Sequence, residues 1–165
     1  MIEIRPGRSD SQSPIQIGDV VPDFTLPDQD GQPASLADLL RAGCLVLYFY
    51  PKDDTPGCTV EACLFRDENQ TFADAGARVV GVSSDSVESH RSFADKCRIP
   101  FTLLSDRGGA LRARFGVPKT LGLIDGRVTY VIDRRGIVRH VFNSQIRARK
   151  HVEEALRLVR RLQAS

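Results

Sequence analysis

Cys44-Leu45-Val46-Leu47-Tyr48-Phe49-Tyr50-Pro51-Lys52-Asp53-Asp54-Thr55-Pro56-Gly57-Cys58-Thr59-Val60-Glu61-Ala62-Cys63 is the stretch whose reading decides the fold. Its first seven residues are apolar, aromatic and β-branched and are ended by a proline, the pattern of a short buried strand. From Thr59 to Ala75 the chain is rich in helix formers, with Leu64, Phe65 and Phe72 as candidate core positions. Cys58 therefore sits where a strand hands over to a helix. Thr55 suits the N-cap and Pro56 the first helical position, where proline gives up a donor the helix would not use. A cysteine in the first turn has its sulfur near unpaired backbone N–H groups and the positive end of the macrodipole. Both favour the thiolate, the nucleophilic form, so Cys58 is a candidate reactive cysteine.

Outward from this stretch, strands and helices alternate. Gly18 to Pro27 alternates weakly, is broken by two prolines and suits short edge strands; Asp28 to Gly31 is a turn, and Ser35 caps a short helix over Leu36 to Arg41. Gly76 stops the cysteine-bearing helix, and Arg78 to Ser83 is a second buried strand. Ser84 to Ser86 opens a helix over Val87 to Lys96, and Phe101 to Ser105 reads as a third strand. Asp106 caps a short helix ending near Phe115, and Val117 to Asp125 reads as a loop. Val128 to Ile132 and Ile137 to Phe142 flank Asp133-Arg134-Arg135-Gly136, a hairpin signal. Val152, Ala155, Leu156 and Val159 recur at helical spacing, so an amphipathic helix closes the chain. Parallel βαβ units followed by an antiparallel hairpin predict a mixed α/β sheet with helices on both faces and an N-terminal edge hairpin, the order found in a thioredoxin-like fold. Residues 1–14 are expected to form a flexible arm and residues 15–165 a single domain.

The composition is that of an ordinary globular protein: 41% apolar, 27% charged and a formal net charge of +2. So balanced a charge gives no nucleic-acid footprint, and no apolar run reaches the ~18 residues of a membrane span. The N-terminus lacks the basic-then-apolar layout of a secretory signal, so the cytoplasm is the expected compartment. Four cysteines (Cys44, Cys58, Cys63 and Cys97) do not make a disulfide scaffold in a chain of 165 residues. Cys44 opens a buried strand and Cys97 ends a helical pattern, so both are expected to be inert. His90, His140 and His151 are scattered and are expected at the surface.

At Pro51-x-x-x-Thr55-x-x-Cys58 the sequence resembles the peroxiredoxins, thiol peroxidases of thioredoxin-like fold. Tyr48-Phe49-Tyr50-Pro51-Lys52, Gly57-Cys58-Thr59-x-Glu61, Phe101 to Asp106 and Gly126 to Asp133 are similar to the bacterioferritin-comigratory, or peroxiredoxin Q, branch, as is a second cysteine five positions after the first. The resemblance implies that Cys58 is the peroxidatic cysteine, becoming a sulfenic acid as it reduces hydrogen peroxide or an organic hydroperoxide. It implies that Thr55 hydrogen-bonds peroxide and thiolate, that Pro56 shields the sulfenic acid from water, and that Arg127 stabilises the thiolate and polarises the peroxide. Glu61 would orient the arginine. Cys63 would be the resolving cysteine, giving an intramolecular disulfide that thioredoxin or a similar dithiol reduces. No metal or other cofactor is implied, and a monomer is expected. The physics agrees: fixed donors aimed at developing negative charge lower the barrier, and a guanidinium serves sulfur and oxygen together. Glu61, Asp53 and Asp54 work against the thiolate unless offset or turned to solvent.

On an α-helix, five residues separate Cα atoms by roughly 8.6 Å, whereas a disulfide needs about 4.4–6.8 Å. The helix must therefore unwind if Cys58 and Cys63 are to join. Two other readings compete. A dithiol–disulfide exchanger would normally carry Cys-x-x-Cys, from which Cys-x-x-x-x-Cys departs, and a zinc or redox-sensing module would need two further ligands nearby.

Overall fold

In a computed structural model, which describes residues 3–4, 13–120, 122 and 124–164, a five-stranded mixed sheet forms the centre of the molecule. The stretch from Cys44 forms its middle strand, β4 (Cys44–Phe49). Earlier in the chain, β1 (Glu3–Ile4), β2 (Phe24–Pro27) and β3 (Pro33–Ser35) make a separate antiparallel sheet, followed by α1 (Leu36–Leu40). The hairpin expected at the sheet's edge thus forms, but as part of this smaller sheet, joined to the central one through a bridge between Val20 and Ile137. Of the expected N-terminal arm, Glu3 and Ile4 pair with Thr25 and Phe24; Ser13 and Pro14 are also described, and the other arm residues lie outside the described residues.

After β4 come α2 (Pro56–Asp67), α3 (Asn69–Asp74), β5 (Ala77–Ser83), α4 (Val87–Cys97), β6 (Thr102–Ser105) and α5 (Ala110–Phe115). The segment read as one helix to Ala75 is two helices, because Glu68 leaves helical geometry between them at φ −97° and ψ 3°. The expected loop from Val117 contains a two-residue ribbon, β7 (Lys119–Thr120) against β8 (Ile124–Asp125). The chain ends with β9 (Val128–Ile132), β10 (Val138–Asn143) and α6 (Ala148–Ala164). The sheet order is β10-β9-β4-β5-β6, with β4–β5 and β5–β6 parallel and β9 antiparallel to both β4 and β10.

Alternation along β4 sorts two cores, because successive side chains leave opposite faces of a strand. Val46, Tyr48 and the following Tyr50 join Cys58, Ala62 and Phe65 of α2, Phe93 of α4, and Val152, Ala155 and Val159 of α6. Leu45, Leu47 and Phe49 pack on the other face with Leu36 and Leu39 of α1 and Leu111 and Phe115 of α5. Tyr48 stacks on Phe65 with centroids 4.5 Å apart, over Gly81, where an added Cβ would come within 2.9 Å of the tyrosine ring. This packing seats α2 on the sheet, and so fixes the helix that carries Cys58.

Candidate active site

Between β4 and α2 the chain crosses the end of the sheet in six residues, and that crossing is anchored from several sides. Asp53 is almost fully buried and accepts hydrogen bonds from Tyr50 Oη at 2.6 Å and Ser89 Oγ at 2.9 Å. Its Oδ2 lies 2.7 Å from His90 Nδ1, while His90 Nε2 meets the carbonyl oxygen of Leu104 at 2.9 Å. Asp53 is thus enclosed by protein groups, with the His90 ring set between its carboxyl and the Leu104 carbonyl. Asp53 N–H also donates to Asp85 Oδ2 at 2.8 Å. Asp54 is the exposed one; it takes a left-handed φ of 62° and pairs with Lys96 at 3.5 Å.

The helix start follows the expected plan in its backbone. Thr55 is extended at φ −84° and ψ 151°, Pro56 opens α2, and Thr59 N–H donates to Thr55 O at 2.8 Å. The Thr55 hydroxyl, however, does not cap the helix; it donates to Lys52 O at 2.8 Å. Pro56 and Gly57 are exposed. Cys58, in the first turn, is only 1% exposed.

Arg127 meets it there. The guanidinium Nη2 donates to Cys58 Sγ at 3.3 Å, Nη1 donates to Glu61 Oε1 at 2.7 Å, and Nε donates to Gln145 O at 3.2 Å. Arg127 lies just before β9, and Arg112 of α5 braces this neighbourhood by donating to Gly126 O at 2.9 Å and to Tyr50 O at 2.7 Å. Gly57 leaves the room: a Cβ there would stand 3.1 Å from Arg127 Nη2. Burial works against the charge of Arg127, but Glu61 and Cys58 outweigh it and hold the guanidinium above its usual pKa.

Glu61 is completely buried. Burial pushes its carboxyl up to about 7 despite the opposing charge and hydrogen bond of Arg127. Its second oxygen, Oε2, has no hydrogen-bond partner among the described residues and lies 3.8 Å from His151 Nδ1. His151 is also buried; its Nε2 meets Ser144 O at 2.7 Å and its Nδ1 meets Thr129 Oγ1 at 2.7 Å. The carbonyl requires Nε2 to carry the proton, so in the neutral ring Nδ1 accepts from the threonine hydroxyl. Burial lowers His151 to about 4, against the help of the Ser144 bond, with Arg127 adding to the fall.

The structure thus brings Cys58, Arg127 and Glu61 into one hydrogen-bonded chain, with Thr55 and Pro56 at the entrance to the helix. Cys63 is half-buried and free, five positions further along α2. Cys97, expected to be inert, stands beside it: burial raises the Cys97 thiol, and the neighbouring Cys63 raises it further by charge and hydrogen bonding. Two of the histidines expected at the surface, His90 and His151, are instead in the interior. The aspartate of a Lys-Asp-Asp run gives no sign of being buried, and partners as distant as Ser89 and His90, 36 and 37 positions away, help to make it so. His151 was marked solely by its place beside Val152 on the apolar face of α6.

Residues 17–141 match the AhpC/TSA family. Peroxiredoxin Q of Sedum lineare, a chloroplastic protein, is 51% identical over 146 residues, covering 88% of this chain and 78% of that protein. The chain is a peroxiredoxin of the AhpC/TSA family, peroxiredoxin Q branch. Arabidopsis thaliana peroxiredoxin Q, also chloroplastic, is 48% identical over 147 residues, covering 88% of this chain and 68% of that protein. Among solved structures, peroxidoxin BcpB of Mycobacterium tuberculosis superposes with a TM-score of 0.84 at 43% identity, covering 90% of this chain and 98% of that one. These peroxiredoxins have the thioredoxin-like fold expected from the element order, and the family is one of thiol peroxidases. The chloroplastic designation of these curated relatives overturns the expectation of a cytoplasmic location. That expectation rested only on the layout of the first residues, and neither the core nor the active site of a peroxiredoxin carries an address.

Proposed function

We propose that this peroxiredoxin reduces hydrogen peroxide and organic hydroperoxides through Cys58, and that Cys63 resolves the product within the same chain. The observation that carries the reading is the buried Cys58 Sγ receiving a hydrogen bond from Arg127, itself held by Glu61. The sulfur lone pair attacks the nearer peroxide oxygen. The S–O bond forms, the O–O bond breaks, and its electron pair leaves on the far oxygen, which takes a proton from solvent and departs as water or alcohol, leaving Cys58 as the sulfenic acid. Arg127 is oriented to hold both the anionic sulfur and the oxygen that gains charge, the role fixed donors serve best in a site shielded from water. The Thr55 hydroxyl, now on Lys52 O, is the second donor at the helix entrance, and Pro56 covers the sulfenic acid from solvent.

Cys63 thiolate then attacks Cys58 Sγ, expelling hydroxide, which a proton converts to water. Roughly 8.6 Å between the two Cα atoms forbids this on an intact helix, so the first turns of α2 unwind in each cycle. A thioredoxin-type dithiol reduces the disulfide, and the helix re-forms. A disulfide within one chain needs no second subunit, which favours a monomer. Glu61 is a positioning residue in this scheme.

Steady-state consumption of hydrogen peroxide with a thioredoxin system tests it. Cys58→Ser should abolish turnover, while Cys63→Ser should retain one rapid reaction with peroxide and lose turnover. Undiminished thioredoxin-driven turnover by Cys63→Ser would refute the resolving role, and activity in Cys58→Ser would refute the whole reading.

A further inference from the structure

Cys63 faces away from Cys58. Five positions turn a helix by about 140° beyond one full rotation, so Cys58 points to Arg127 while Cys63 points elsewhere. What it meets is Cys97, the last residue of α4, likewise half-buried and free. A second contact fixes this approach: Arg66, one turn beyond Cys63, donates from Nη1 to the Cys97 carbonyl oxygen at 2.6 Å and clamps the end of α4 on that part of α2. In the folded protein, therefore, Cys63 has a thiol neighbour, and it is not Cys58.

We propose that Cys97 is a third redox residue, acting in series: its thiolate takes Cys63 from the Cys58–Cys63 disulfide and leaves a Cys63–Cys97 disulfide between α2 and α4. The inference rests on the resolving role of Cys63 proposed above. In the step, Cys97 loses its proton to solvent and its sulfur attacks Cys63 Sγ. The Cys63–Cys97 bond forms, the Cys58–Cys63 bond breaks, and the electron pair leaves on Cys58 as a thiolate. The exchange is redox-neutral and needs no further oxidant.

Its direction follows from the fold. The Cys58–Cys63 bond exists only with the first turns of α2 unwound, which takes Cys58, Glu61 and Ala62 out of their buried positions. A Cys63–Cys97 bond joins residues that are already neighbours, so the helix can rewind and Cys58 can return to Arg127. The chemistry is also gated. Part of what keeps the Cys97 thiol protonated is Cys63 itself, through its charge and hydrogen bond. Once Cys63 is bound in a disulfide those two contributions vanish, while Arg66 continues to favour the Cys97 thiolate. The returned Cys58 can then reduce a second peroxide before any external dithiol arrives.

Fully reduced protein, freed of reductant, is given one and then two equivalents of hydrogen peroxide, acid-quenched at intervals, alkylated and mapped for disulfides. The wild type should show Cys58–Cys63 first, giving way to Cys63–Cys97, and should consume two equivalents with Cys58 then trapped by dimedone. Cys97→Ser should stop at Cys58–Cys63 and consume one. A wild type whose only disulfide at equilibrium is Cys58–Cys63, or one with Cys58–Cys97, overturns the proposal, and this map needs no variant to fold. If Cys97→Ser loses the Cys58 thiol without forming Cys58–Cys63, the resolving role of Cys63 fails, and the series mechanism fails with it.

Discussion

Replacing Glu61 by glutamine removes a charge from the interior and keeps the shape and the acceptor for Arg127. The carboxyl stands at about 7 in the folded protein against 4.5 for a free side chain, so folding favours its protonated form. A raised folded-state pKa contributes stability that is fully present below pH 4.5 and is lost as pH rises through 7. Integrating the difference in bound protons, the wild type should lose about 2.5 kcal/mol between pH 5 and pH 8 relative to Glu61→Gln, which has nothing to ionise. For a chain of this size that is a gap of roughly 5–10 °C in melting temperature opening across the range. The wild-type curve alone would conceal it. His151 sits at about 4, below its free value of 6.5, so its contribution is present above pH 6.5 and lost as pH falls toward 4. The two slopes oppose each other between pH 4.5 and 6.5, and the difference between wild type and variant is the quantity to read. Urea unfolding of both reduced proteins at pH 5, 6, 7 and 8 gives it. A difference that stays constant with pH, or a wild type that gains on the variant toward pH 8, would mean that Glu61 is ionised throughout and would refute the argument.

Three further outcomes are expected. His151→Gln should reverse the pH trend: the wild type loses about 3 kcal/mol relative to the variant between pH 7 and pH 4, read by extending the unfolding series down to pH 4. Gly57→Ala should leave stability unchanged within about 0.5 kcal/mol, because an exposed position in the first turn accepts alanine. Its Cβ, 3.1 Å from Arg127 Nη2, should nevertheless shift the guanidinium and slow the peroxide reaction several-fold in stopped flow, in keeping with losses of about 10²-fold for a 1 Å misplacement. Amide hydrogen exchange over residues 58–64 should accelerate when Cys58 and Cys63 are joined in the Cys97→Ser protein, and equal exchange in its reduced and oxidised forms would contradict unwinding of α2.

Much of this architecture could be read from local pattern. The Cys44–Tyr50 run, the proline at the helix start and the Asp133–Gly136 turn each act over a few residues, and β4, α2 and the β9–β10 hairpin form where those signals lie. Ser35 and Ser86 cap their helices as expected, since a cap bonds only three residues ahead. What local pattern does not carry is pairing across the chain. Nothing beside Asp53 in the sequence marks it as buried, yet Tyr50, Ser89 and His90 enclose it; His151 is expected at the surface, yet Thr129 and Ser144 satisfy it in the core. A charged or polar side chain is buried only when a distant partner compensates it, and nothing in its own neighbourhood announces that partner. The position of Arg127 beside Cys58, 69 residues away, came instead from the family resemblance, as did the role of Glu61. The nearness of Cys97 to Cys63 came from neither, because the packing of α4 on α2 is set by core residues such as Phe65 and Phe93.

The central claim is that Cys58, held by Arg127, is the sulfur that takes oxygen from peroxide. Intact-mass and peptide analysis of Cys63→Ser protein after one equivalent of hydrogen peroxide tests it most directly, because the missing resolving thiol leaves the first product in place. The account predicts the gain of one oxygen, localised to Cys58 and captured there by dimedone. Oxygen found on Cys44 or Cys97 with Cys58 unchanged, or no gain within seconds, would contradict it.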